Sequence, residues 1–244
     1  MSVRSGVDIV ADWTVVTTPM AQAALRGLCG SFIGTRWRGM DEAENRVHRY
    51  VLQGYAATGR APAGAQIAGA VGPSFDEVTA ALRRLAGRDL VVLDDAGRIV
   101  GAYPFTERPS EHHVTVAGIT VSAMCAIDAL GIGAMLGQAS VIRSVCRSCG
   151  QTLSICTRDN GQTLDFAKPA GIVIWSGQLY ADDCAATSLC TQQGFFCTSE
   201  HMERWRADKS RQDDEGVPLN LSEALEVGRA LFEAMRSALR LAND

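Results

Sequence analysis

Apolar positions fall at helical spacing once the chain passes Asp41. Val47, Tyr50, Val51 and Tyr55 share one face until Gly59 and Pro62 stop the pattern. A second short helix is expected over Ala63 to Ala70, ending at Gly72. Ser74 and Glu77 then form a capping box that opens a third helix reaching Ala86, with Phe75, Val78, Leu82 and Leu85 as its buried stripe. Leu90–Leu93 and Ile99–Tyr103 read as two β-segments joined by Asp94-Asp95-Ala96-Gly97, a turn composition that suits a hairpin. Three helices followed by a hairpin spell a winged-helix-like module over residues 41–106. Ahead of it, residues 1–40 form an N-terminal extension with a short extended piece at Trp13–Thr18 and an Ala-rich helix from Met20 to Cys29.

Thr106 to Glu111, with Pro109, marks a linker. The second half, residues 107–244, alternates between two periods. Val114 to Val121 reads as one strand leading into an apolar helix that carries Cys125 and continues through Leu136. Further strands are expected at 140–146, 152–156, 171–175 and 194–197, with turns at Gly150, Asp159-Asn160-Gly161 and 168–171. A charged loop from Arg206 to Glu215 precedes a last helix from Leu221 to about Leu241. Ser222 is the expected N-cap there, with Leu225, Leu231, Met235 and Leu239 inward. The fold class is α+β: a winged-helix-like module followed by a mixed α/β domain.

Composition narrows the function classes. With 244 residues, 47% of them hydrophobic, the chain can bury a substantial core. A net charge of −4 supplies no general attraction for nucleic acid or anionic lipid. The third helix argues against DNA as a partner, because it opens with Asp76 and Glu77 and exposes mainly Thr79, Arg83 and Arg84. No apolar run approaches the ~18 residues of a bilayer span, and the N-terminus has no signal-peptide core, so no membrane association and a cytoplasmic location are expected. Oligomeric state is left open.

Eight cysteines are many for a reducing compartment, and only Cys29 lies in the first half. Cys125 and Asp128 stand one helical turn apart, a spacing that allows a shared proton or ligand and equally describes a buried thiol beside a surface carboxylate. Cys146-Arg-Ser-Cys149 is half a zinc knuckle with no second CxxC. Cys184, Cys190, Cys197 and an isolated His201 would close a four-ligand site only in an unusual combination. His48, His112 and His113 form no metal-binding pattern. The chain has no phosphate loop, nucleophile elbow or dinucleotide fingerprint.

Several separated segments resemble the organomercurial (alkylmercury) lyases. Cys125-Ala126-Ile127-Asp128-Ala129-Leu130 is similar to the family's Cys-Ala-Leu-Asp-Thr-Leu helix, which carries its first catalytic cysteine and its aspartate. Ser188-Leu189-Cys190, followed by Phe195-Phe196, resembles the segment with the second catalytic cysteine. Pro169-Ala170-Gly171 and Cys146 match the family's Pro-Ala-Gly turn and its structural cysteine, and the likeness runs over roughly residues 42 to 240. The resemblance implies protonolysis of a carbon–mercury bond to a hydrocarbon and Hg(II), with Cys125, Cys190 and Asp128 catalytic and holding the Hg(II) product. It further implies an organomercurial substrate and a role in mercury detoxification. No organic cofactor is required, and external cytosolic thiols or a mercuric reductase take the metal away. Met124 replaces a common Trp and Thr191 an occasional Cys; these departures bear on which organic groups are accepted. The competing readings are a winged-helix metal-responsive DNA-binding regulator and a non-catalytic, lyase-like protein that binds Hg(II) or another soft metal.

Overall fold

The computed structural model describes residues 6–71, 74–207 and 215–240. The expected stop at Gly72, most of the charged loop after Arg206 and the last residue of the C-terminal helix lie outside them. The expected extended piece at Trp13–Thr18 is instead a 3-10 turn over Trp13–Val15, closed by the Asp12 carboxylate accepting from the Thr14 N–H at 2.9 Å. Helix α1 (Pro19–Leu28), capped by Thr18, runs into a π-helical turn at Cys29–Ile33 and a short helical turn, α2 (Gly34–Arg36).

Helix α3 (Glu42–Thr58) begins at an Asp41/Glu44 capping box and ends where Gly59 takes the left-handed conformation at φ 76°. Helices α4 (Gly64–Val71) and α5 (Phe75–Gly87) follow, the second opened by the Ser74/Glu77 box. Phe75 departs from its expected place in the buried stripe. It lies in the first turn and is 58% exposed, and Ala81 joins Val78, Leu82 and Leu85 inside. Strands β1 (Val91–Leu93), β2 (Ile99–Ala102) and β3 (Phe105–Thr106) make one antiparallel sheet, so the linker expected from Thr106 begins inside a strand.

The single strand expected over 114–121 is two, β4 (His113–Val116) and β5 (Ile119–Ser122). Ala117 and Gly118 both have positive φ (49° and 83°), the geometry of a two-residue hairpin turn that matches strand twist. Helix α6 (Ala126–Leu136) comes next, then β6 (Ser140–Val145), β7 (Thr152–Arg158) and β8 (Thr163–Lys168). These build a five-stranded antiparallel sheet in the order β5-β4-β6-β7-β8. Strand β8, too exposed to show an apolar alternation, escaped the sequence reading.

Strand β9 (Val173–Gly177) is central to a second small sheet, flanked by β10 (Gln193–Phe196) and β11 (Gly216–Asn220), with a 3-10 turn at Leu189–Gln192 before β10 and helix α7 (Ser199–Arg206) after it. The single last helix expected from Leu221 to about Leu241 is instead two, α8 (Leu221–Phe232) and α9 (Met235–Arg240), separated by a turn at 233–234. The cap of α8 is Asn220, in a capping box with Glu223, and not Ser222. Leu225, Leu231 and Met235 are buried as expected, and Leu239 is half-buried.

Helix α6 is the centre of the architecture. Its sequence is apolar on all faces, and every residue from Ala126 to Met135 is buried, as a helix without a polar face must be. It packs along α8 and touches β4, β6 and β10. The crossing with α8 is glycine on glycine. A Cβ at Gly228 would sit 2.8 Å from the Gly131 nitrogen and from the Ile127 carbonyl oxygen, contacts that only backbone movement could relieve.

Candidate functional site

Cys125 is the N-cap of α6. Its backbone is extended, and its sulfur accepts the Asp128 N–H at 3.4 Å, in the role usually filled by a Ser or Asp oxygen. The one-turn spacing therefore does bring thiol and carboxylate together, and Asp128 is buried, not at the surface. The third group comes from 62 positions on: the Cys190 thiol faces the Asp128 Oδ2 at 3.9 Å. One ligand atom from each of Cys125, Asp128 and Cys190 lies within 4.8 Å of the other two. All three residues are at most 5% exposed.

Cys190 is held from several sides. Its N–H donates to the Ala185 carbonyl at 2.8 Å, and the Ala185 N–H donates at 2.8 Å to Asp89, a buried carboxylate just beyond α5. The Tyr103 hydroxyl lies 3.6 Å from the Cys190 sulfur. Sequence reasoning singled out neither Asp89 nor Tyr103. The positive φ of Asp89 (56°) marks a helix-terminating turn, and nothing local announces a contact nearly a hundred residues away.

Burial sets the protonation states. It pushes the Asp128 carboxyl well above the ordinary carboxylate range, and the adjacent Cys125 adds to the effect. Burial likewise raises Cys125 well above the usual thiol range, reinforced by Cys190. A hydrogen bond with Cys125 lowers Cys190, but burial and the nearby Asp128 outweigh it and the net shift is upward. Tyr103 is raised by burial and then by Cys190, so it remains a neutral phenol. Burial thus favours the protonated form of all three groups.

The three groups open onto a narrow, largely apolar cavity of about 20 Å³, little more than one water requires. Ile127, Leu189, Leu231 and Phe232 line it, together with Leu28, Ile33 and Trp37 of the N-terminal segment. The Gln193 side chain also reaches it, and its Oε1 is buried without a hydrogen-bond partner among the described residues.

The histidines stay outside this centre. His112 is buried, paired with the Ser144 hydroxyl at 2.8 Å and depressed by burial to about 3; His48 is buried and depressed to about 4. Both are neutral core residues, while His113 is exposed. His201 is not isolated: its Nδ1 lies 2.9 Å from the Cys197 sulfur and 3.6 Å from that of Cys146.

Two thiols beside a buried carboxyl, in a largely apolar pocket, can bind a soft electrophile and deliver a proton to what it carries. Known proteins with this arrangement of sequence are found by comparison. The family model for alkylmercury lyase (MerB) matches residues 105–233. An alkylmercury lyase from Streptomyces lividans is 29% identical over 203 residues, covering 82% of this chain and 89% of the relative. One from Bacillus cereus is 29% identical over 172 residues, covering 68% and 73%. In structure, the mercury-bound form of MerB2 superposes with a TM-score of 0.70, covering 89% of this chain and 100% of that one at 21% identity, which establishes a shared fold. With the family model spanning more than half of its length, the chain belongs to the alkylmercury lyase family.

Proposed function

We propose that this chain is an organomercurial lyase that cleaves carbon–mercury bonds by protonolysis, with Cys125, Cys190 and Asp128 as its working set. The observation that carries the reading is the convergence of those two sulfurs and one carboxyl within 4.8 Å in a buried pocket. Mercury is a very soft acid for which thiolates are the preferred ligands. In this reading one thiol captures R–Hg–X; its sulfur bonds to mercury, and its proton leaves with X. The second sulfur then bonds to the same mercury and raises its electron density. Asp128 delivers its carboxyl proton to the mercury-bound carbon, the carbon–mercury pair becomes the new C–H bond, and the second thiol's proton restores the carboxyl. The sum is R–Hg–X plus two thiols giving R–H, a mercury bis-thiolate and HX. Burial that favours the protonated carboxyl of Asp128 suits this role, because a carboxylate would have no proton to give.

No organic cofactor enters this chemistry. Hg(II) remains on the two cysteines, with Asp128 beside it, until external thiols or a mercuric reductase remove it. Excess reduced thiol is a cytoplasmic condition, which suits turnover by this chemistry. Among the described residues no helix is long and apolar enough to cross a membrane.

The test is hydrocarbon release. Full-length protein, a phenylmercury salt and excess thiol should yield benzene with turnover, measured by gas chromatography. Cys190→Ser and Asp128→Ala should each lower the rate at least ~100-fold, the scale of a lost general acid. Full activity in either variant would refute the mechanism. Tight Hg(II) binding with no hydrocarbon from the unaltered protein would identify a sequestering protein instead.

A further inference from the structure

A second sulfur cluster lies apart from the pocket. The β6–β7 turn supplies Cys146 and Cys149. The end of β10 supplies Cys197, and the first turn of α7 supplies His201. One ligand atom from each lies within 4.8 Å of the other three. The Cys149 and Cys197 sulfurs are 3.8 Å apart, and the His201 Nδ1 is 3.6 Å from Cys146 and 2.9 Å from Cys197.

We propose that Cys146, Cys149, Cys197 and His201 form a structural zinc site. A tetrahedron with Zn–S near 2.3 Å and Zn–N near 2.0–2.1 Å has S···S edges of ~3.8 Å and S···N edges of ~3.5 Å. The Cys149–Cys197 and Cys146–His201 separations match these edges, the Cys197–His201 contact is shorter and would be widened by a bound ion, and the remaining pairs lie within 4.8 Å. The donor set is complete without water, as in closed structural sites, and three thiolates with an imidazole select zinc over harder cations. The turn has knuckle geometry. Gly150 takes a positive φ of 73° and donates its N–H to the Cys146 carbonyl at 2.8 Å.

The site also has a structural task. Arg147, between the two knuckle cysteines, donates its N–H to the Phe195 carbonyl at 3.0 Å and its guanidinium to the carbonyls of Thr191 (2.6 Å) and Gln193 (3.3 Å). Those acceptors flank Cys190 and lead into β10. Zinc at the knuckle therefore staples the five-stranded sheet to the strand that follows Cys190, and holds that segment in register with α6.

Metal content, not lyase activity, is the readout, so this proposal stands or falls separately from the proposed function. Protein purified under reducing conditions should contain ~1 zinc per chain by elemental analysis. Replacing zinc by Co(II) should produce the intense visible bands of tetrahedral cobalt and thiolate-to-metal absorption in the near ultraviolet. Cys149→Ala, at an exposed position, and His201→Ala should each lower zinc content at least tenfold, whereas Cys125→Ser and Cys190→Ser should retain it. Chelation should lower the Tm of the unaltered protein and leave Cys149→Ala unmoved. Failure to take up stoichiometric zinc or tetrahedral cobalt, or zinc that survives in Cys149→Ala and His201→Ala, would overturn the proposal.

Discussion

Single residues at this site act through burial more than through charge partners. Asp89 is the clearest case after Asp128: burial raises its carboxyl to about 6 from an ordinary 3.8, and the Ala185 N–H only partly offsets that. A raised carboxyl pKa means the folded state binds the proton more tightly than the unfolded one, so this group adds stability as pH falls from about 6 toward about 4. His48 and His112 work the other way, since their folded forms resist protonation and lose stability as pH drops below 6.5. Comparing wild type with Asp89→Asn isolates the carboxyl. In urea unfolding, the wild-type-minus-variant stability should shift in favour of wild type between pH 7 and pH 4.5; a difference that does not vary with pH would contradict the assignment. At this scale the sequence was informative where a residue has a local signature. Ser74 and Gly59 were legible as a cap and a stop, while the Asn220 cap was missed by two positions because Ser222 is an equally good residue type for the role. Phe75 was misplaced because first-turn residues project past the packed face.

Elements were read well where their period is strong and badly where exposure or a turn blurs it. The α3 and α5 helices and the β1–β2 hairpin were legible, as was the helix carrying Cys125. The β4–β5 hairpin was not, because its turn is Ala117-Gly118 and alternation continues straight across it. The relation between α6 and α8 is set by Gly131 and Gly228. Gly228→Ala would push the helices apart and tilt the N-terminus of α6, where Cys125 and Asp128 lie. The expected cost is about 1–3 kcal/mol, the usual range for overpacking, read as a lower Tm. Hydrocarbon release should fall with it even under conditions where the variant is folded. An unchanged Tm would show that the crossing is more forgiving than its 2.8 Å backbone contacts suggest.

Over the whole molecule, the N-terminal segment acquires a purpose that its sequence did not disclose. Trp37 is buried between Tyr103 and Phe232, with ring centroids 5.8 Å and 6.3 Å away, and with Leu28 and Ile33 it lines the pocket. Trp37→Ala should cost about 3–5 kcal/mol, as for other buried aromatic truncations. It should also speed alkylation of Cys190 in the native protein, followed by peptide mass spectrometry; unchanged labelling would mean that access is controlled elsewhere. The sequence by itself determined the α+β class, most helix limits and several turns, because caps, glycine conformations and apolar periods act over a few neighbouring residues. It also supplied the three candidate site residues, through a family resemblance and not through spacing. Only the tertiary structure decided that Cys190 meets Asp128 across 62 positions, that Trp37 lines their pocket, and that Cys146 and Cys149 find Cys197 and His201. Those pairings depend on how sheets and helices pack in three dimensions, and no local rule carries that information along the chain.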